Sequence, residues 1–281
     1  MEFRPKKRLG QNFLHDSAIA SRIVDAAELR PDATVIELGA GRGILTRPLA
    51  ARGVRLIAIE LDRELHTELA AFFGAENKTA RGPAGPVEIV QADFTKLTIT
   101  GLLAARGLER CVLFGNIPYH LTRDVLFSFL VDEHEMIEAA YLMLQREVGE
   151  RIVSPPGSRV YGITSVVLQS LYDTRPLFRV APGAFFPRPK VDSIIVEFKP
   201  LVEALVEPAE LNGFVSLVKN LFQQRRKTIH NTLKRFYSLS ETELGEISSR
   251  TGVSLDKRPE ELGKKAFLEL SRTVSSMTTA E

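Results

Sequence analysis

Thr34-Val35-Ile36-Glu37-Leu38 runs straight into Gly39-Ala40-Gly41-Arg42-Gly43, and a helical stretch through Leu49 and Ala50 follows. A second buried-type strand, Leu56-Ile57-Ala58-Ile59-Glu60, comes next. Strand, glycine turn, helix and strand in that order are the unit of an α/β sheet. The glycines let a ligand approach the backbone closely. Their spacing is not the dinucleotide fingerprint, because Ile44 stands where the last glycine belongs, and the Gly-Lys-Ser/Thr ending of a phosphate-binding loop is missing.

Glu60 closes the second strand about 20 residues after the glycines, where an acid can accept from both ribose hydroxyls of a nucleoside. A solvated strand-end acid is the alternative. A third strand, Val87-Glu88-Ile89-Val90-Gln91, leads to Ala92-Asp93-Phe94. Asp93 suits an adenine amino group with Phe94 shaping the slot, or else it caps the following turn.

The chemistry concentrates in Phe114-Gly115-Asn116-Ile117-Pro118-Tyr119-His120, between the apolar run Cys111-Val112-Leu113-Phe114 and a stretch of helical spacing over residues 121–131. An exocyclic aromatic amine such as adenine N6 is a poor nucleophile because its lone pair is delocalised into the ring. The Asn116 side-chain oxygen and the Ile117 carbonyl can both accept from it and draw it toward tetrahedral geometry. Pro118, with fixed φ and no N–H, holds that carbonyl in place, and Tyr119 offers a flat face to an unstacked base. A sulfonium methyl donor needs no general base. The plain alternative is a strand-to-helix turn punctuated by Asn and Pro.

The 281 residues, 44% of them hydrophobic, suffice for one large domain and a smaller one. Cys111, the single cysteine, excludes an internal disulfide and reads as a buried thiol, which favours the cytoplasm. No signal peptide and no 18-residue apolar run are present, so neither export nor membrane spanning is expected. His15, His66, His120, His134 and His230 are scattered singly, and no metal site is expected.

A net charge of +2 hides a strong asymmetry: residues 1–8 carry +3 and residues 219–235 carry +6, so the remainder sums to −7. Concentrated positive charge is what a polyanion-binding surface requires. From residue 200 onward the chain reads as helices, broken near Pro208 and Pro259. Leu217, Leu221, Ile229 and Leu233 line an apolar face, while Arg225, Arg226, Lys227, Lys234 and Arg235 supply a basic one. In the loop at residues 182–193, Phe185 and Phe186 beside Arg188 and Lys190 suit base stacking and phosphate contact, unless a phenylalanine merely plugs the core. Toward the amino end, Gln11-Asn12-Phe13-Leu14 reads by spacing as an ordinary loop tucked onto the domain and precedes a helix capped by Asp16 or Ser17, and residues 77–86 read as a surface insertion.

Gln11-Asn12-Phe13-Leu14, Glu37-Leu38-Gly39-Ala40-Gly41, Ile59-Glu60-Leu61-Asp62, Gln91-Ala92-Asp93, Gly115-Asn116-Ile117-Pro118-Tyr119, Pro189-Lys190-Val191-Asp192-Ser193 and Gln224-Arg225-Arg226-Lys227-Thr228 occur in this order along nearly the whole chain. Together they resemble the KsgA family of ribosomal RNA adenine dimethyltransferases. The resemblance implies a Rossmann-like class I methyltransferase domain over residues 1–200, with a seven-stranded, mostly parallel sheet, and a small all-helical RNA-binding domain over residues 201–281. It implies S-adenosyl-L-methionine as cofactor and N6,N6-dimethylation of two adjacent adenosines near the 3′ end of small-subunit (16S) rRNA, coupled to ribosome biogenesis. The expected setting is cytoplasmic, as a monomer acting on a pre-ribosomal particle. By this reading Gln11, Asn12, Leu14, Gly39, Gly41, Glu60, Asp93 and Asn116 bind the cofactor. Asn116, Ile117, Pro118, Tyr119 and Phe185 surround the target base, and Arg188, Lys190, Arg225, Arg226 and Lys227 contact RNA.

Two positions depart from the bacterial pattern: His120 stands where many members carry Asn, and Ile117 where they carry Leu. Asn-Ile-Pro-Tyr-His also occurs in the erythromycin-resistance methyltransferases of large-subunit rRNA, whereas the blocks at residues 190–193 and 224–228 favour the small-subunit enzyme. A DNA adenine methyltransferase and a non-catalytic nucleic-acid-binding relative are the remaining alternatives.

Overall fold

In a computed structural model, residues 10–79 and 86–278 are described, with the backbone alone for residues 75–79. The basic arm at residues 1–8 lies outside them, as do residues 80–85 of the expected insertion. The chain separates into two compact units, residues 1–149 with 175–200, and residues 150–174 with 201–281.

The first unit holds β1 (Phe13–Leu14), α1 (Ser17–Asp25), β2 (Thr34–Leu38), α2 (Thr46–Ala50), β3 (Arg55–Glu60), α3 (Arg63–Thr79), β4 (Val87–Gln91), α4 (Ile99–Ala104), β5 (Cys111–Asn116), α5 (Thr122–Asp124) and β6 (Ile137–Gln145). Next along the chain come α6 (Arg146–Ile152), α7 (Ile163–Leu171), β7 (Tyr172–Val180), β8 (Phe185–Phe186) and β9 (Ser193–Pro200). Seven strands form one sheet in the order β4-β3-β2-β5-β6-β9-β7. The pairs β2/β3, β3/β4, β2/β5 and β5/β6 are parallel and β6/β9 is antiparallel. Pro176 in β7 donates no ladder hydrogen bond and sits on the sheet edge, where that omission is tolerated. The central strands read as unbroken apolar runs because both faces are covered: Val35, Ile36, Leu38, Leu56, Ala58, Ile59, Leu113 and Phe114 are all fully buried.

From β2 the chain steps outward to β3 and β4, then returns to the other side of β2 to lay down β5 and β6. This reversal leaves a crevice between the carboxyl ends of β2 and β5, where doubly wound sheets bind ligands. Cys111 is buried in β5, and burial pushes its thiol well above the ordinary range, so it is inert as a nucleophile.

Three local expectations are corrected. Residues 121–131 do not form one amphipathic helix: the single α turn of α5 opens into a π turn over Val125–Phe129. The wider turn buries Val125, Leu126 and Phe129 together. Asn77–Thr79 belong to α3 rather than to an insertion. The Gln11–Leu14 stretch is not simple loop, since β1 pairs antiparallel with β8 through Phe13↔Phe186 and Leu14↔Phe185.

The second unit contains α7 together with α8 (Leu211–Gln223), α9 (Ile229–Tyr237), α10 (Glu241–Thr251) and α11 (Lys264–Thr278). The sequence placed the boundary at residue 200, yet residues 150–174 join the helices beyond it. Lys264 Nζ donates to the Gln169 carbonyl at 2.6 Å, Tyr161 packs edge-on against Phe222 at 6.2 Å, and Phe222 stacks on Phe267 at 5.8 Å. An apolar α7 needs an apolar partner, and the faces of α8 and α11 supply it. Leu217, Leu221, Ile229 and Leu233 are all buried as their spacing predicts. The two short turns at Pro208–Glu210 and Pro259–Glu261 fall at the expected breaks.

Candidate active site

A cleft of about 250 Å³ opens at the carboxyl ends of β2, β3, β4 and β5, with the segment around β1 along its side. Gln11, Asn12, Leu14, Gly39, Gly41, Glu60, Asp93, Asn116, Ile117, Pro118 and Tyr119 all line it. Five separate sequence blocks thus converge on one cavity.

The turn after β2 is set by its glycines. Gly41 has φ +58°, and a Cβ there would lie 3.2 Å from the Phe13 ring. In that conformation the Gly41 amide donates to Glu60 Oε2 at 2.7 Å, while the Asp62 amide donates to Oε1 at 2.7 Å. Glu60 is therefore held at both oxygens, each keeping a second lone pair for a ligand hydroxyl. Burial raises its pKa, and the Asp62 and Gly41 amides pull it back. Exposed Leu61 beside it and buried Phe94 across the cleft supply apolar faces suited to a nucleoside base.

Asp93 does the local work that was left open as an alternative: its Oδ1 accepts from the Thr95 amide at 3.1 Å and the Thr95 hydroxyl at 2.6 Å, capping a short turn. It also lines the cleft.

Asn116 ends β5. Its Nδ2 donates to the Asn12 carbonyl at 3.2 Å, which fixes the carboxamide at the cleft that Asn116 lines. The β1 segment thus orients the residue expected to grip the amine. It passes so near the turn after β5 that a Cβ on Gly10 would stand 2.8 Å from His120 Nδ1. The Tyr119 hydroxyl pairs with Ser193 Oγ at 2.7 Å, and burial raises its pKa, so the phenol is neutral at pH 7.

Glu37, one residue of the Glu37–Gly41 motif, acquires a place in the site only through the fold. It lies on the cleft floor, 2% exposed, with Oε2 buried and lacking a hydrogen-bond partner among the described residues. Burial pushes its carboxyl up to about 8, so it is mostly protonated at neutral pH. The available signal was a carboxylate set in the apolar strand Val35-Ile36-Glu37-Leu38. Phe13, Arg42, Ile44, Leu45 and Leu121 also line the cleft without having been predicted.

Other expected site residues are placed elsewhere. Phe185 is 3% exposed inside the hydrophobic core and is absent from the cleft lining; its neighbour Phe186 is 61% exposed. The core-plugging alternative is the one realised, because strand alternation sends adjacent phenylalanines to opposite faces. Arg188 and Lys190 are exposed on the loop between β8 and β9. The basic run at 219–235 is not one helix: α8 stops at Gln223, and α9 restarts at Ile229 with Thr228 as its cap. Arg225 Nη2 donates to the Arg159 carbonyl at 2.8 Å and its Nε lies 3.8 Å from Glu260, so this guanidinium is a strut of the second unit. Arg226 and Lys227 are exposed, whereas Lys234 pairs with Glu241 at 2.6 Å. Among the described residues no cluster of three His, Cys, Asp or Glu could hold a metal, and no helix is long and apolar enough to cross a membrane.

The chain is similar to known proteins. The chain is 39% identical over 275 residues to ribosomal RNA small subunit methyltransferase A of Geobacter metallireducens, covering 98% of this chain and 97% of that one. Its identity to the protein of the same name from Thermotoga neapolitana is 38%, with 95% and 90% covered. Among solved structures it resembles the 23S rRNA methyltransferase ErmE (TM-score 0.69, 28% identity, 94% and 100% covered). It shares a fold with a dimethyladenosine transferase from Plasmodium falciparum (TM-score 0.74, 22% identity, 92% and 95% covered). The sheet is accordingly that of a Rossmann-like class I methyltransferase. A family model described as ribosomal RNA adenine dimethylase matches residues 2–275, and with the relatives at this identity and coverage it establishes that the chain belongs to the ribosomal RNA adenine dimethylase family.

Proposed function

We propose that the protein is a methyltransferase that dimethylates N6 of two adjacent adenosines near the 3′ end of small-subunit rRNA, using S-adenosylmethionine, during ribosome assembly in the cytoplasm. It acts as a monomer on a pre-ribosomal particle. One observation carries the chemistry: Asn116, its amide fixed by the Asn12 carbonyl, lines the cleft whose other wall holds Glu60.

The cleft residues fit a nucleoside cofactor. Glu60 keeps lone pairs for ribose hydroxyls, Asp93 offers Oδ2 toward an amino group, the glycine turn leaves room for close approach, and Glu37 brings an orphaned polar atom to the floor. The bound sulfonium supplies an already activated methyl group. Asn116 Oδ1 and the Ile117 carbonyl accept from the target amine and expose its lone pair. Pro118 fixes that carbonyl, and Tyr119, tied to Ser193, holds its ring as a platform for the flipped base. The positioned acceptors act without reorganising at the moment of transfer. Arg188, Lys190, Arg226 and Lys227 bind phosphates. The second unit is the RNA-binding domain.

The small-subunit assignment is favoured over the large-subunit one by the relatives' names and by the motifs at residues 190–193 and 224–228. Mass spectrometry of rRNA fragments after incubation of unmethylated ribosomal subunits with isotopically labelled cofactor decides it. Label on two neighbouring adenosines of small-subunit RNA is expected. Label on large-subunit RNA, or none, would sink the reading.

A further inference from the structure

A second cavity, of about 240 Å³, lies in the same unit and at the same sheet edge, lined by Gln145, Arg146, Glu147, Pro182, Lys190, Val191 and Asp192. Asn116 pairs with Met143, so Gln145 stands one strand over and two residues further on. From strand spacing and rise that is roughly 8 Å, about the reach of a single extended nucleotide step. Ser193 joins the two cavities: its Oγ meets the Tyr119 hydroxyl at 2.7 Å on one side, and its register partner on β6 is Gln145 on the other. The rim is stiffened by Arg146, whose amide donates to the Asp192 carbonyl at 2.9 Å and whose Nη1 lies 3.2 Å from Asp192 Oδ2.

The lining discriminates between ligands. Glu147 and Asp192 disfavour a bare inorganic anion despite Lys190 and Arg146. A nucleotide divides its chemistry differently: one phosphate for Lys190, ribose hydroxyls for the carboxylates, a base edge for the Gln145 carboxamide, and a base face for Pro182 and Val191. Phe186, 61% exposed at the strand turn just before this loop, adds an aromatic face that the cleft itself does not use. Its register partner on β1 is Phe13, which lines the cleft.

We propose that the cavity between Gln145, Lys190 and Val191 is a subsite for the adenosine next to the target, holding it while its neighbour occupies the Asn116 cleft. This rests on the dimethylation reading, because two adjacent substrates need two adjacent places.

The test is a cycle of protein and RNA changes read as equilibrium binding of ribosomal subunits, which requires no methyl transfer. A protein that bound but did not methylate would refute the function while still reporting on the cavity. Changing the neighbouring adenosine to uridine should weaken binding by the unaltered protein about tenfold. Gln145→Leu should weaken binding to natural subunits about tenfold and to the changed subunits less than twofold, because the same contact is already gone. Val191→Glu, at an exposed position tolerant of substitution, blocks the cavity and should reproduce the pattern if Gln145→Leu folds poorly. Equal binding of both subunits by the unaltered protein, or the same loss in Val191→Glu on both, would overturn the subsite.

Discussion

The two regions assigned to RNA chemistry are built on opposite principles. At the cleft, polar atoms are few, largely buried, and aimed by main-chain partners: Asn116 by the Asn12 carbonyl 104 residues away, Glu60 by the Gly41 amide 19 residues back and by the nearby Asp62 amide. On the helical unit, Arg226 and Lys227 are long exposed side chains. Buried, preorganised groups act all-or-none, whereas solvated cations contribute graded, salt-screened attraction. Position in the fold separates chemistry from affinity.

The sharpest break in that contrast would come from Asn116→Ala. Methyl incorporation into unmethylated subunits should fall on the order of 10³-fold, as for removal of a preorganised partner of the reacting atoms. RNA affinity should stay within about twofold; near-normal turnover would show that the amide is not the amine's partner. Next in size is Glu60→Ala, which removes two charge-assisted acceptors and should weaken cofactor binding on the order of 10²-fold by calorimetry. An unchanged affinity would detach Glu60 from the ribose.

Arg226→Ala combined with Lys227→Ala should lower subunit affinity roughly tenfold at physiological salt and reduce the slope of log K against log salt by about 1.5. Cofactor affinity should be untouched. Arg225→Ala, one residue away, should leave that slope nearly unchanged and instead lower the melting temperature by a few degrees, since it loses the Arg159 carbonyl and Glu260 contacts. If the two variants behaved alike, the division of roles within this basic run would fail.

The last expectation concerns the pH dependence of stability and turns on Glu37. Its carboxyl titrates near the ordinary 4.5 when unfolded and about 8 when folded, so the native state holds the extra proton between these values. Its contribution to stability is complete below about 4.5, is lost as pH rises toward 8, and is constant above that. Glu37→Gln should flatten this part of the melting-temperature profile; a variant with the same slope as the parent would clear Glu37 of the effect.

Which parts were legible follows from the range of the forces involved. The strands Thr34–Leu38 and Val87–Gln91 match their sequence boundaries, because apolar runs and flanking turn residues are local signals. Asp16 caps α1 through the amides of Ala18 and Ile19, again a local matter. The π turn after α5 was not legible, since helical spacing alone does not distinguish a wider turn from an α turn. Nor was Phe185, because alternation tells neighbours apart without saying which one faces the core.

By itself the sequence determined the sheet-forming runs, the glycine turn, the acid at the end of β3 and the Asn-Ile-Pro-Tyr turn, all written in residue type and short spacing. The tertiary structure alone decided that β1 reaches β8, that the Asn12 carbonyl orients Asn116, that Glu37 lies dry on the cleft floor, and that Arg225 is a strut while Arg226 meets solvent. Periodicity records how often a face is buried. Which distant atom completes a hydrogen bond, or excludes water from a carboxyl, depends on register and packing between elements, and no local pattern encodes those.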